Sequence, residues 1–149
     1  MKIYLGADHR GFKLKEKVKE WLENWGYDVA DLGAESFEPK DDYTLYAQKV
    51  ASLVGKEKSV RGILLCGSGV GVDVAANKFD GVRAAIGKSP EQVRAGRRDD
   101  DMNILVLAAD FTKSQEAKEM VQAFLKTEFD DVARHQRRLQ EIKKIEANN

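Results

Sequence analysis

Short apolar runs alternate with amphipathic stretches along the whole chain. Ile3 to Gly6 reads as a strand that closes on Ala7-Asp8-His9, and Phe12, Leu14, Val18, Trp21, Leu22 and Trp25 then recur at helical spacing. Gly26 stands where a helix C-cap falls, and Tyr27 to Leu32 returns to an extended pattern. The polar segment Gly33 to Asp42, with glycine and proline, is the longest expected loop. Tyr43 to Val54 is helical through Tyr46, Val50, Leu53 and Val54. Gly62 to Cys66 is an uninterrupted apolar run, which suits a strand whose sheet is covered on both faces. It ends in Gly67-Ser68-Gly69-Val70-Gly71, and a helix through Ala75 and Ala76 follows. The pattern continues with a strand at Val82 to Ile86, a helix at Pro90 to Arg98 and a strand at Ile104 to Ala108. Ser114 to Leu125 is a helix with Ser114 at its N-cap and Glu116 in its first turn, and Val132 to Ile145 is a long charged helix.

Alternation of this kind predicts an α/β fold: one open parallel sheet wrapped by helices on both faces. No linker, internal repeat or low-complexity tract interrupts it, so residues 1–149 are expected to form a single domain. Composition agrees, with 42% hydrophobic and 34% charged residues in a length that supports one buried core. The formal charge sums to zero, so neither nucleic acid nor a membrane surface is an expected partner. The first residues enter a strand pattern without a signal peptide's apolar stretch, and no apolar run reaches the length of a membrane span. A lone cysteine cannot form an internal disulfide and fits a reducing compartment. A cytoplasmic setting is expected.

In open parallel sheets, ligands bind beyond the carboxyl ends of the strands. That rule singles out Asp8-His9, Cys66 to Gly71 and the segment Asp99 to Asn103. The glycine turn can aim several backbone N–H groups into one concavity suited to an anion. It is not a dinucleotide fingerprint, because the third glycine would fall at Val72, and no Gly-Lys-Ser/Thr ending marks a nucleotide loop. The plain alternative is a tight turn that needs small residues. Cys66 could be no more than a small buried apolar residue. Its place at a strand end, under N–H donors that favour the thiolate, argues instead for a base. His9 could bind an oxyanion or hydroxyls, with Asp8 fixing its tautomer or binding a hydroxyl; the alternative is a turn-capping Asp beside a surface His. Arg134 and Arg138, four apart on a helix, project from one face and could fork onto a phosphate, although charged terminal helices are commonly just solvated. The sparse apolar face of that helix suggests packing across another subunit. Asp99-Asp100-Asp101 cannot all turn toward one ion and have no His or Cys beside them, so no metal is expected.

Together these features resemble the ribose-5-phosphate isomerase type B family, which includes the galactose-6-phosphate isomerase subunits. The resemblance runs through "GADHRGFKLKEKVKEWL", "DDYTLYA", "GILLCGSGVGVDVAANKFDGVRAA", "MNILVLAA" and "RHQRRLQEIKKIE". It implies a Rossmann-like three-layer fold with a C-terminal interface helix. It also implies a homodimer or dimer of dimers with active sites at the subunit interface, and no cofactor or metal. The implied activity is aldose–ketose isomerisation of a sugar phosphate, by default ribose 5-phosphate to ribulose 5-phosphate, as in pentose phosphate metabolism. Cys66 would move the proton between C2 and C1 and Ser68 would assist catalysis. Gly67, Ser68, Gly69 and Gly71 would form the anion hole, Asp8, His9 and Tyr43 would contact the sugar, and Arg134 and Arg138 would hold the phosphate.

The sequence departs from the family pattern in three places. Asp99-Asp100 stand where members usually carry His-Asn, the His being assigned to ring opening; Asp99 is expected to take that role, its pKa raised by Asp100 and Asp101, with Asp100 beside the substrate. Asp110 lies near where many members place a phosphate-binding arginine, and Thr44 replaces a proline. An isomerase of a hexose phosphate or unphosphorylated sugar, and a non-catalytic sugar-phosphate-binding module, are the competing readings. A binding module would need the glycine loop but not the thiol.

Overall fold

Strand β3 (Val60–Cys66) is buried at every position and forms the middle of the sheet, as its unbroken apolar run requires. The structure, a computed structural model, describes all of residues 1–149. Around β3 lie β1 (Lys2–Ala7), β2 (Asp28–Asp31), β4 (Ala84–Ile86) and β5 (Ile104–Ala108), every pair parallel, in the order β2-β1-β3-β5-β4. Alternate strand residues point to opposite faces. Leu5, Ile63, Leu65, Leu105 and Leu107 therefore meet α1 (Phe12–Asn24), α4 (Pro90–Asp100) and α5 (Ser114–Lys126) through Val18, Leu22, Val93, Met120 and Phe124. Tyr4, Leu64, Cys66, Ile104 and Val106 meet α2 (Tyr43–Val54) and α3 (Val70–Ala76) on the other face. Helix α6 (Ala133–Ala147) lies outside both layers, and His135 is its one buried residue.

The expected three-layer fold is thus the observed one, with shifts at helix ends. Lys113, not Ser114, caps α5, and its N–H donates to Glu116 Oε2 at 3.2 Å. Helix α4 runs on through Asp100 and stops at Asp101, which takes a left-handed φ of 47° and ion-pairs with Arg97 and Arg83, each at 2.9 Å. One buried charge escapes any hydropathy reading: Lys15 in α1 is fully buried, its ammonium 2.6 Å from Asp31 and 2.7 Å from Glu16.

Topology decides where the site can lie. The chain moves outward from β1 to β2, then crosses back to β3, so the direction of winding reverses between β1 and β3. The crevice at such a switch point opens at the carboxyl ends, between Asp8-His9 and Cys66-Gly67. The segment Asp99 to Asn103 is not there. It precedes β5, so it arrives at the amino edge, where Asn103 O accepts from Gly62 N at 2.9 Å and Asn103 N donates to Arg83 O at 3.0 Å. The residues that follow β5, Ala109 and Asp110, occupy the carboxyl edge instead.

Candidate active site

Cys66 ends β3 with only 4% of its surface exposed. The turn after it is fastened to the extension of β5: Ala109 N donates to Cys66 O at 2.9 Å and Asp110 N to Gly67 O at 3.0 Å. Gly69 caps α3 at φ +77°, a left-handed conformation that costs a side-chain-bearing residue about 1–2 kcal/mol. Ser68 is exposed, and its Oγ accepts from Val70 N at 3.2 Å, leaving the hydroxyl hydrogen to donate outward. Gly71 has a different reason to be glycine. A Cβ there would lie 2.7 Å from Tyr43 Cζ, so the half-exposed Tyr43 ring, at the start of α2, rests on the glycine turn.

Across the crevice, His9 is oriented by a residue that the sequence did not single out. Asp41 Oδ1 accepts from the His9 backbone N–H at 2.9 Å and lies 2.8 Å from Nδ1. Burial works to raise the Asp41 pKa, but the hydrogen bonds from His9 outweigh it and hold the carboxyl below its ordinary value. An ionised Asp41 keeps the proton on Nδ1 and leaves Nε2 for a ligand. Tyr46 is near enough for it and Asp41 to shift each other's pKa without reaching hydrogen-bond geometry, so Asp41 Oδ2 is buried without a partner. The tautomer-fixing role considered for Asp8 therefore belongs to Asp41. Asp8 Oδ1 instead accepts from Arg10 N at 3.0 Å and Gly11 N at 3.1 Å, closing the turn. Asp110, which stands near where many family members place an arginine, is ion-paired to Arg10 over the face of Gly67.

A second group gathers at the amino edge. His135 Nδ1 lies 2.7 Å from Asp130 Oδ1, and ligand atoms of Asp99, Asp130 and His135 all lie within 4.8 Å of one another. Asp99 accepts from Arg98 Nε at 2.7 Å, and that bond, aided by the charges of Arg98, His135 and Arg134, holds its carboxyl below the ordinary value. This is opposite to the upward shift expected from Asp100 and Asp101. Asp101 spends its charge on Arg83 and Arg97, so the groups facing Asp99 in space are basic. Arg134 and Arg138 are exposed at the start of α6, as is Asp100 at the end of α4.

The expected residues thus fall into two sets in one chain. Asp8, His9, Tyr43, Cys66 and Gly67 to Gly71 share the carboxyl edge; Asp99, Asp100, Arg134 and Arg138 lie at the amino edge. Each set contains a His and two Asp close enough to share an ion, His9 with Asp8 and Asp41, and His135 with Asp99 and Asp130. In both sets the imidazole is already bonded to one carboxylate, while another binds backbone amides (Asp8) or Arg98 (Asp99). A cleft of about 680 Å³ between α6 and the amino edge, lined by Arg61, Arg83, Arg97 and Lys143, contains none of these residues.

A strand-end thiol, amide donors beside it and a His–Asp pair opposite define a site for moving protons on a small polar substrate, which is the equipment of an isomerase. Residues 3–142 match the model of a family described as Ribose/Galactose Isomerase. The chain is 39% identical over 145 residues to the ribose-5-phosphate isomerase B of Escherichia coli K12, covering 97% of this chain and 96% of that one. Its structure is similar to that of ribose-5-phosphate isomerase B from Mycoplasma genitalium with bound ribulose 5-phosphate (TM-score 0.95, 39% identity, 99% and 97% coverage). It is equally similar to the type B ribose 5-phosphate isomerase of Trypanosoma cruzi (TM-score 0.95, 31% identity, all of both chains). The chain belongs to the ribose/galactose isomerase family, and it is an aldose–ketose isomerase of that kind. No helix is long and apolar enough to cross a membrane.

Proposed function

We propose that the chain interconverts ribose 5-phosphate and ribulose 5-phosphate through a cis-enediolate, with Cys66 as the base, at a site completed by a second copy of the chain. Asp99 of the second copy, ionised, takes the C1 hydroxyl proton as the furanose opens; the ring C–O bond breaks, and the ring oxygen gains a proton from solvent through the Ser68 hydroxyl. The Cys66 thiolate then removes the C2 proton. The C2–H electrons form the C1–C2 double bond, and negative charge moves to the carbonyl oxygen beneath the amides of Gly67, Ser68, Gly69 and Gly71. A proton passes from the O2 hydroxyl to O1, and the thiol returns its proton to C1. Asp8, His9 and Tyr43 hold the sugar hydroxyls, Asp100 of the second copy stands beside the substrate, and its Arg134 and Arg138 fork onto the phosphate.

The observation that carries this reading is the separation of the two sets. Arg134 and Arg138 have no ion-pair partner within the chain, and α6 leaves nearly all its surface exposed. These two arginines lie at the far edge of the sheet from the thiol, and a symmetric pair can bring one chain's set to the other's. The similarity to relatives named as ribose-5-phosphate isomerases supports the substrate. The free Cys66 is in keeping with a cytoplasmic setting. Proton NMR of ribose 5-phosphate in heavy water tests the chemistry. Wild type should form ribulose 5-phosphate with deuterium incorporated, and Cys66→Ala should form none. Turnover by Cys66→Ala at the wild-type rate would remove the thiol from the mechanism.

A further inference from the structure

Arg10 is half exposed, yet it does not project freely into solvent. A Cβ on Gly67 would collide with its guanidinium and would lie 2.7 Å from Asp110 Oδ2, so the ion pair lies flat against the Cα of the residue next to Cys66. Both partners are anchored. The Arg10 backbone N–H donates to Asp8 Oδ1 at 3.0 Å, and the Asp110 N–H donates to Gly67 O at 3.0 Å. Only one of the two terminal nitrogens of Arg10 is engaged, with Asp110 Oδ2. The remaining donors of the fork are unused, and the side chain retains 55% of its exposure.

Resting on the isomerase reading, the geometry points to Arg10 as a phosphate-binding residue on the Cys66 side of the site, with Asp110 as the residue that positions it. A guanidinium held at one corner presents its other donors in a fixed plane, which suits two oxygens of a phosphate monoester. The position explains why a carboxylate is tolerated beside an anion site: Asp110 sets the direction of Arg10, and Arg10 cancels its charge. It also gives the site a cation from the chain that supplies the thiol, in addition to those of α6. An unphosphorylated sugar gains nothing from Arg10.

The test compares wild type, Arg10→Ala, Arg10→Lys and Arg10→Ala/Asp110→Ala on ribose 5-phosphate. Loss of a charge-assisted contact to phosphate should raise KM by about tenfold or more in Arg10→Ala, with kcat changed less than threefold. Arg10→Lys, which keeps the charge and loses the fork, should fall between. The double variant separates two roles. If Arg10 binds phosphate, removing the carboxylate as well leaves KM far above wild type; a return to the wild-type KM would mean that Arg10 only neutralises Asp110, and would overturn the inference. An unchanged KM in Arg10→Ala would overturn it too. The rise in unfolding temperature caused by ribose 5-phosphate reads binding without turnover. A shift present in wild type and lost in Arg10→Ala supports the inference even if no ribulose 5-phosphate forms and the isomerase reading fails. An equal shift in the two proteins, or none in either, refutes it.

Discussion

Gly71→Ala should separate activity from stability, and the structure fixes the sign of both effects. The added methyl carbon would stand 2.7, 2.8 and 2.9 Å from three ring atoms of Tyr43. Ordinary contact begins at 3.4 Å, so the ring must withdraw by at least 0.7 Å, the difference between 3.4 and 2.7. Tyr43 is 40% exposed and can swing toward solvent, which forfeits part of one aromatic contact and creates no cavity. Gly71 lies in α3 and has no left-handed φ, so alanine there recovers up to about 0.5–1 kcal/mol of helix propensity. The two terms oppose each other, and the net change should stay within about 1 kcal/mol, or roughly 4 °C in unfolding midpoint. Activity has no such compensation. Displacing by 0.7 Å or more a ring proposed to contact the substrate should lower kcat/KM by about tenfold to a hundredfold. Thermal unfolding and the isomerisation assay, run on Gly71→Ala, Tyr43→Ala and the double variant, check each part. Because both single changes act by removing the ring from the site, the double variant should be no worse than Tyr43→Ala. Wild-type kcat/KM in Gly71→Ala would refute the reasoning, and so would losses that multiply in the double variant.

Three other outcomes follow from the same geometry. If the site needs two copies, Cys66→Ala and Arg134→Ala/Arg138→Ala proteins, each inactive, should recover about one quarter of wild-type activity after unfolding and refolding as an equal mixture, because half the dimers are mixed and each has one intact site; no recovery would count against a shared site. The carboxyl of Asp41 titrates in the fold below its ordinary value of 3.8, so its contribution is complete above that value and is lost as pH falls through the lowered one. The unfolding midpoint of wild type should accordingly drop more steeply below pH 3.8 than that of Asp41→Asn, as scanning calorimetry from pH 2 to 6 would show. Lys15→Met removes the ammonium from between Asp31 and Glu16 and should cost about 2–4 kcal/mol in urea unfolding, with kcat per folded molecule unchanged.

The strands and helices were legible because their hydrophobic periods are local, and the glycine turn and Cys66 because turn and strand end adjoin in sequence. What stayed hidden depends on partners distant along the chain. Asp41 meets His9 across 32 residues from within the Gly33–Asp42 loop, where no periodicity marks one polar side chain from the next. Arg10 and Asp110 are 100 positions apart; the family pattern marks Asp110 as a departure, but only the fold shows that its partner is Arg10. Lys15 fits the polar rhythm of "FKLKEKVKEWL", yet its stem lies in the core and its ammonium reaches Asp31 at the end of β2. Asp99 is flanked in sequence by Arg98 on one side and Asp100 on the other; that Arg98 is the one bonded to it, and that Arg134 and His135 add their charges from α6, shows only in the fold.

The placement of Asp99 at the wrong edge has a more general cause. The strand-end rule concerns residues that leave a strand, and a helix that returns antiparallel to the sheet delivers its last turn to the opposite side. A sequence shows which residues adjoin a strand; only strand direction shows which edge they reach. Once β5 is seen to start at Ile104, and His135 of α6 to lie beside Asp99, the acids at 99 and 100 and the arginines at the start of α6 fall at the edge opposite the Cys66 crevice of their own chain. That placement turns the exposed face of α6 from an unexplained surface into a chemical requirement. Under the mechanism proposed above, a thiol that takes a proton from a sugar phosphate, with the α6 arginines at the far edge of its own chain, would receive them from a second copy, and Arg10 would be the cation supplied from within.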